Sequence, residues 1–194
     1  MPVSSPGPDF LALPTRAGEM LVHAVVDTPR GSRNKYKYDP QLRVFRLSRV
    51  LPRGMHFPWD FGFIPGTLGA DGDALDVVVL GEEPTFPGCL LTVSLIGVMR
   101  ARQREKGKTI RNDRLLGVRR TPVNEPYLRE LREVPRAVLD EVEQFFVDYN
   151  RAHGRLFEPQ GRAGAAAAAR CLRAGMSEFE GKKPGNDRAR SKGR

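Results

Sequence analysis

The chain has little with which to build a zinc site, a disulfide scaffold or a membrane span. Its 194 residues include two cysteines, Cys89 and Cys171. They lie far apart and outside any Cys-x-x-Cys spacing, which speaks against a disulfide framework and for a reducing compartment. No apolar run approaches the roughly 20 residues that a membrane helix requires. The opening "MPVSSPGPDF" is polar and proline-rich and lacks a basic segment followed by an apolar one, so the expectation is a cytoplasmic protein with no membrane partner. Acidic residues are also in deficit: 23 Asp and Glu stand against 32 Lys and Arg, giving a formal net charge of +9. Such a field attracts anions without naming one.

What remains is enough for one folded domain, since 40% of the residues are hydrophobic. The expected organisation is a flexible segment over 1–18, a domain over 19–180, and a basic disordered tail over 181–194. In the tail "GKKPGNDRARSKGR", six basic residues against one acid leave no apolar face to pack, so it reads as a solubilising end. "MLVHAVVDTP" reads as a strand ended by Pro29, and "LRVFRLSRVL" alternates in period two. "PRGMHFPWDFGFIPGTLGADGDA" reads as an ordered loop region held down by its aromatics. "LDVVVL" and "LLTVSLIGVM" are β-branched strands. Short strands between Gly/Pro turns favour an antiparallel barrel over a parallel α/β sheet. After residue 122 the period changes. Val138, Val142, Phe145 and Tyr149 form a helical stripe that opens near Pro135 and can end at Gly154. "RAGAAAAARCLRAGMSEFE" predicts a second helix from alanine propensity.

The chemistry centres on "GADGDALDVVVL", residues 69–80, where Asp71, Asp73 and Asp76 crowd together. Like charges this close repel unless a cation lies between them. An EF-hand is excluded, because position 5 of such a loop would be Leu75 and the flanks read as loop and strand. A polar turn in which Asp71 and Asp73 cap backbone amides is the plain alternative. Asp76, however, enters an apolar run where a carboxylate is costly without a partner. Hard oxygens without neighbouring His or Cys favour Mg²⁺ or Mn²⁺. Lys35, Arg49 and Arg114 are available to meet an anion bridging such ions, the pattern of phosphoryl chemistry.

"KYKYD" (35–39), "RV" (49–50), "FPWDFGFIPGTLGADGDALDVVVL" (57–80), "PGC" (87–89) and "IGVM" (96–99) resemble, in order and spacing, the soluble family I inorganic pyrophosphatases. The resemblance spans roughly residues 20–120, and the two later helices suit the family's ending. It implies an α+β, mainly β fold: an OB-like five-stranded barrel packed by two C-terminal helices. It implies Mg²⁺-dependent hydrolysis of pyrophosphate, a small-molecule substrate, and a homo-oligomer, dimer or hexamer. Asp71 and Asp76 match metal ligands, with Asp76 placed to bridge two ions, and Asp73 matches the catalytic carboxylate that takes a proton from the attacking water. Asp27 stands where the family has a metal-contacting glutamate. Lys35 and Arg49 match phosphate-binding cations, and Tyr149 matches a tyrosine that holds phosphate, although its place in the apolar stripe suits core equally.

The chain also departs from that pattern. Ala74 replaces the usual proline or glutamate, Lys37 stands where a glutamate is common, Phe57 and Phe61 replace tyrosines, and Asn150 replaces a lysine. In "RARQREKGKTIRNDRLLGV" the family's acidic pair falls near Gln103 and Arg104. Its later aspartate falls on Asn112, a neutral ligand at best, and its lysine on Arg114. Asp113 would face away from Asn112 in a regular strand unless a bulge re-aims it. Lost anionic ligands and added arginines weaken metal binding. Two readings therefore stay open: a divergent pyrophosphatase with fewer metals, or a non-enzymatic relative binding a phosphate-rich anion such as a nucleotide, polyphosphate or RNA. Retention of all three aspartates favours the enzyme. Nucleic acid is not favoured, because the arginine-rich stretch has no interleaved aromatics for stacking.

Overall fold

The structure is a computed structural model and describes residues 7–18, 21–105, 107–121 and 128–182. Its strands are β1 (Leu21–Thr28), β2 (Asn34–Asp39), β3 (Val44–Val50), β4 (Asp60–Phe63), β5 (Asp76–Leu80), β6 (Leu90–Glu105), β7 (Lys108–Arg111), β8 (Arg114–Arg120) and β9 (Leu156–Gly164). Helix α1 spans Arg136–Arg151 and α2 spans Ala165–Gly181. Five strands close a ring in the order β1-β4-β5-β8-β6 and back to β1, the OB-like arrangement. The 16-residue β6 passes through the whole construction and pairs with β1, β8, β7 and β9 in turn. The hairpin β2–β3 stands apart as a two-stranded sheet. One expectation needs correction: the ring is not wholly antiparallel, since β5 and β8 run parallel. The connection between them is long enough to contain β6 and β7 and so returns the chain in the same direction.

Strand alternation divides the core. Val77 and Val79 of β5 enter one apolar cluster with Ala167, Ala168 and Leu172 of α2. Val78 and Leu80 point the opposite way, into a second cluster with Leu139, Val142 and Phe146 of α1. Each helix thus covers one face of the same strand. Rings dominate the α1 side: Phe57 lies edge-on to Phe145 and Tyr149, and Phe61 packs on Phe146. Each such pair contributes about 0.5–1.5 kcal/mol beyond the area it buries.

Residues 7–18 differ from the flexible lead-in expected of them. Asp9 caps a 3-10 turn over Phe10–Ala12, and Phe10 meets Tyr38 and Phe45 edge-on at 5.2 Å. That aromatic contact is what the proline-rich composition concealed. The expected tail over 181–194 lies outside the described residues from 183 onward. No helix among the described residues is long and apolar enough to cross a membrane.

Candidate active site

The acidic loop between β4 and β5 is a built structure rather than slack chain. Gly69 N–H donates to the Asp73 carbonyl at 2.7 Å and Gly72 N–H to Gly69 at 3.1 Å. Asp73 N–H donates to Asp71 Oδ1 at 3.2 Å. Gly72 has φ +87°, a left-handed turn that costs glycine nothing and most residues about a kilocalorie or two per mole. Below it, Thr67 hydroxyl donates to Ile64 at 2.6 Å and accepts from Leu75 N–H at 3.0 Å. The loop is also pinned to α2, where Leu68 N–H donates to the Gly175 carbonyl at 2.9 Å. A Cβ at Gly175 would sit 2.6 Å from Leu75 Cδ1, so a larger residue here would have to push the Leu75 side chain aside.

Other elements bring their side chains to the same place by register. Asp27 lies at an irregularity of the β1–β4 pairing between Val26 and Thr28, and this bulge turns it inward. Lys35 and Lys37 share one face of β2, and Lys35 lies opposite Arg49 of β3. Arg114 opens β8 directly beside β5. Tyr149 and Asn150 come from the last turn of α1. Together with Asp71, Asp73 and Asp76 these line one cavity of about 610 Å³. All nine residues expected to form the site, namely Asp27, Lys35, Arg49, Asp71, Asp73, Asp76, Asn112, Arg114 and Tyr149, meet there. A larger cavity of about 900 Å³ lies behind the acidic loop against α2, but Lys35, Arg49 and Tyr149 do not reach it.

The carboxylates are engaged by the chain's own cations. Lys35 Nζ lies 2.7 Å from Asp27 Oδ1 in a buried pair, and Lys37 Nζ lies 2.7 Å from Asp73 Oδ2 in an exposed one. Arg114 Nη1 lies 2.7 Å from Asp76 Oδ2. Asn112 Oδ1 accepts from Arg114, and Asn112 Nδ2 donates to Gln103 Oε1 at 3.0 Å. Arg114 is 5% exposed. Its guanidinium carbon sits 5.1 Å from the Phe146 ring centre, 5.6 Å from Phe157 and 5.8 Å from Phe61. Its Nε is buried without a hydrogen-bond partner. Lys35 Nζ lies 4.1 Å from the Phe61 ring centre, so a ring that lacks a hydroxyl serves as a cation-binding face.

Burial raises the Asp27 carboxyl above its ordinary range, against the pull of Lys35. Desolvation likewise raises Asp76, opposed by Arg114. Asp71 is pushed up by desolvation and then by repulsion from Asp76. Burial raises the Tyr149 phenol, and its ring stacks on Phe145, so this residue is both core and cavity wall.

Two wall residues were not legible in the sequence. Arg155, just beyond α1, places its Nε 2.8 Å from Glu105 Oε2 at the end of β6. No local pattern marks either residue; the turn after α1 and the length of β6 bring them together. Asp113 faces elsewhere: its Oδ1 accepts from Ala101 N–H and its Oδ2 from Arg111 Nε at 2.7 Å. No bulge re-aims it, and it lines the cavity behind the loop.

A closed β ring carrying hard oxygen donors opposite a group of cations is a site suited to phosphoryl chemistry. Comparison with known proteins makes this specific. The sequence profile of the inorganic pyrophosphatase family matches residues 24–180. The inorganic pyrophosphatase of Methanosarcina acetivorans is 37% identical over 155 residues, covering 80% of this chain and 90% of that protein. The crystal structure of the Thermus thermophilus inorganic pyrophosphatase superposes with a TM-score of 0.81 at 34% identity, covering 90% of this chain and all of that one. The Neisseria gonorrhoeae inorganic pyrophosphatase superposes with a TM-score of 0.80 at 26% identity, covering 89% and 99%. The chain belongs to the inorganic pyrophosphatase family.

Proposed function

We propose that the chain hydrolyses inorganic pyrophosphate to two phosphates with the help of Mg²⁺ or Mn²⁺ held at the acidic loop. The observation that carries this is the meeting of Asp71, Asp73 and Asp76 with Lys35, Arg49, Arg114 and Tyr149 around one cavity. The donors suit a hard divalent ion, because all three acids offer carboxylate oxygens and Asp71, already desolvated, is repelled by Asp76 and Asp73 more than Arg114 offsets. Among the described residues no three acidic, His or Cys side chains are grouped as a ready-made coordination shell, and Asp71, Asp73 and Asp76 are the residues that would hold the ion. When bound, the ion lowers the pKa of its water and neutralises charge on the phosphate oxygens.

The chain's residues supply the rest. Asp73 takes the proton of the attacking water as the new oxygen–phosphorus bond forms and the bridging anhydride bond breaks. Its partner Lys37 is exposed, so the pair separates at a cost of about 1 kcal/mol or less. Lys35, Arg49 and Arg114 meet the charge of the two phosphoryl groups, and Asp27 keeps Lys35 aimed at the cavity. Tyr149 closes the wall on the product side. The substrate is a small molecule, the working form a homo-oligomer, and the place of action the cytoplasm. Phosphorus NMR of pyrophosphate with the purified chain tests the reading. Conversion to orthophosphate with Mg²⁺ but not with EDTA supports it, and no conversion with Mg²⁺ or Mn²⁺ leaves the anion-binding relative as the better account.

A further inference from the structure

We infer that the cavity behind the acidic loop is a second binding site, suited to a small phosphate-bearing anion and coupled to the metal ion across the loop. Its volume of about 900 Å³ exceeds that of the cavity where the aspartates meet Lys35 and Arg49. Small side chains of α2 open it: Ala167, Cys171 and Ala174 follow helical spacing on the face turned to the loop. Leu68, Leu75 and Leu115 give it an apolar wall. Among the described residues no aromatic ring lines it, so a nucleobase has nothing to stack on there.

The charges on the wall leave two guanidiniums over. Asp113 Oδ2 accepts from Arg111 Nε at 2.7 Å, and Asp76 is held from the other cavity by Arg114. Glu178 precedes Lys182 by four residues on α2, the spacing at which opposite charges support each other. Arg100 of β6 and Arg170 of α2 are both exposed, and neither side chain has an ion-pair or hydrogen-bond partner among the described residues. The field of Arg100 reaches the Cys171 thiol, so β6 and α2 turn their charge into one volume. Paired guanidinium forks match the oxygens of a phosphate group.

The acidic loop is the partition between the two cavities, since Leu68, Asp71, Ala74, Asp76 and Asn112 line both. The coupling rests on the proposed role of this loop in holding the metal ion, whereas the anion site itself does not. In the metal-free chain the Asp71 carboxylate opposes an anion behind the loop. A divalent ion on Asp71 and Asp76 cancels that opposition, and Arg100 and Arg170 then act on the anion alone. By linkage, the anion strengthens metal binding by the same factor.

Cys171 is a half-buried thiol in the wall of this cavity and Cys89 is not, which supplies a reporter and its control. The experiment follows alkylation of both by iodoacetamide in the full chain, read by mass spectrometry, with orthophosphate or glycerol 3-phosphate as probe and chloride at equal ionic strength as reference. At about ten times the half-saturating probe concentration Cys171 should react about tenfold more slowly, with Cys89 unchanged. Mg²⁺ should lower the half-saturating concentration about fivefold or more. Stronger protection by glycerol 3-phosphate assigns the apolar wall to the body of an ester, and equal protection assigns the site to free orthophosphate. The double variant Arg100→Gln/Arg170→Gln, which breaks no ion pair and so keeps the fold, should lose the protection. No protection with or without Mg²⁺, equal protection by chloride, or protection that persists in the double variant would overturn the site. Protection indifferent to Mg²⁺, in a chain that calorimetry shows to bind the ion, would overturn the coupling. Pyrophosphate hydrolysis is scored separately: protection without turnover keeps the anion site and refutes the proposed function, whereas turnover without protection does the reverse.

Discussion

Replacing Lys35 by Met removes the partner of a buried carboxylate and leaves the packing stem in place. Asp27 and Lys35 have side-chain exposures of 8% and 13%, and their atoms are 2.7 Å apart. Deleting one member of such a pair costs about 3–5 kcal/mol, because the other charge is left desolvated. Asp27 has an escape, which is to take a proton. Neutralising a carboxyl whose ordinary pKa is 3.8 at pH 7 costs about 4 kcal/mol, which sets the ceiling. The expected loss near pH 7 is therefore about 3–4 kcal/mol, or a fall in Tm of about 6–16 °C for a chain of this size. The deficit must shrink with acidity, because each pH unit lowers the ceiling by about 1.4 kcal/mol. Urea unfolding of the metal-free protein at pH 8 and pH 5.5 measures both quantities. Asp27→Asn added to Lys35→Met should recover part of the loss. A deficit below 1 kcal/mol, or one equal at the two pH values, would refute the idea that Lys35 neutralises Asp27.

Asp71→Asn should raise the thermal stability of the metal-free chain at neutral pH. The folded pKa of Asp71 lies above its unfolded value, so its contribution is fully present below the unfolded pKa and is lost as pH rises through the folded one. The gain from Asn should accordingly vanish as pH falls through that window, which calorimetry between pH 4 and 8 follows. Arg49→Met should lower the apparent affinity for pyrophosphate about 10- to 100-fold, the worth of one charge-assisted hydrogen bond, read as a rise in KM. Asn112→Asp should tighten Mn²⁺ by adding a charged oxygen to the cavity wall, read by titration calorimetry; no change would show that position 112 does not face the ion.

What could be read from the sequence was local in origin. The three aspartates, the turn that holds them and the strand that follows lie within 12 consecutive residues, so spacing alone exposed them. The stripe of Val138, Val142, Phe145 and Tyr149 carried α1 in the same way, and the observed helix begins one residue after Pro135. Strand β9 was hidden because Pro159 and Gly161 read as breakers; its pairing with β6 tolerates them at an irregularity between Met99 and Ala101. Strand β4 was lost inside a Gly/Pro-rich stretch for the same reason. The ion pairs were out of reach altogether. Lys37 and Asp73 are 36 residues apart, as are many pairs that never meet. The charge substitution at Lys37, which looked like damage in the sequence, proves in space to be a partner of the acid it appeared to oppose.

The central claim is that Asp73 moves the proton of an attacking water while the neighbouring acids hold a metal ion. Phosphate release from pyrophosphate by the intact chain, compared with Asp73→Asn at the same saturating Mg²⁺, tests it most directly. The account predicts metal-dependent release that falls by about 10²–10⁴-fold in the variant with no loss of Tm, since Asp73 is an exposed loop residue that buries little. Undiminished release by Asp73→Asn would contradict it.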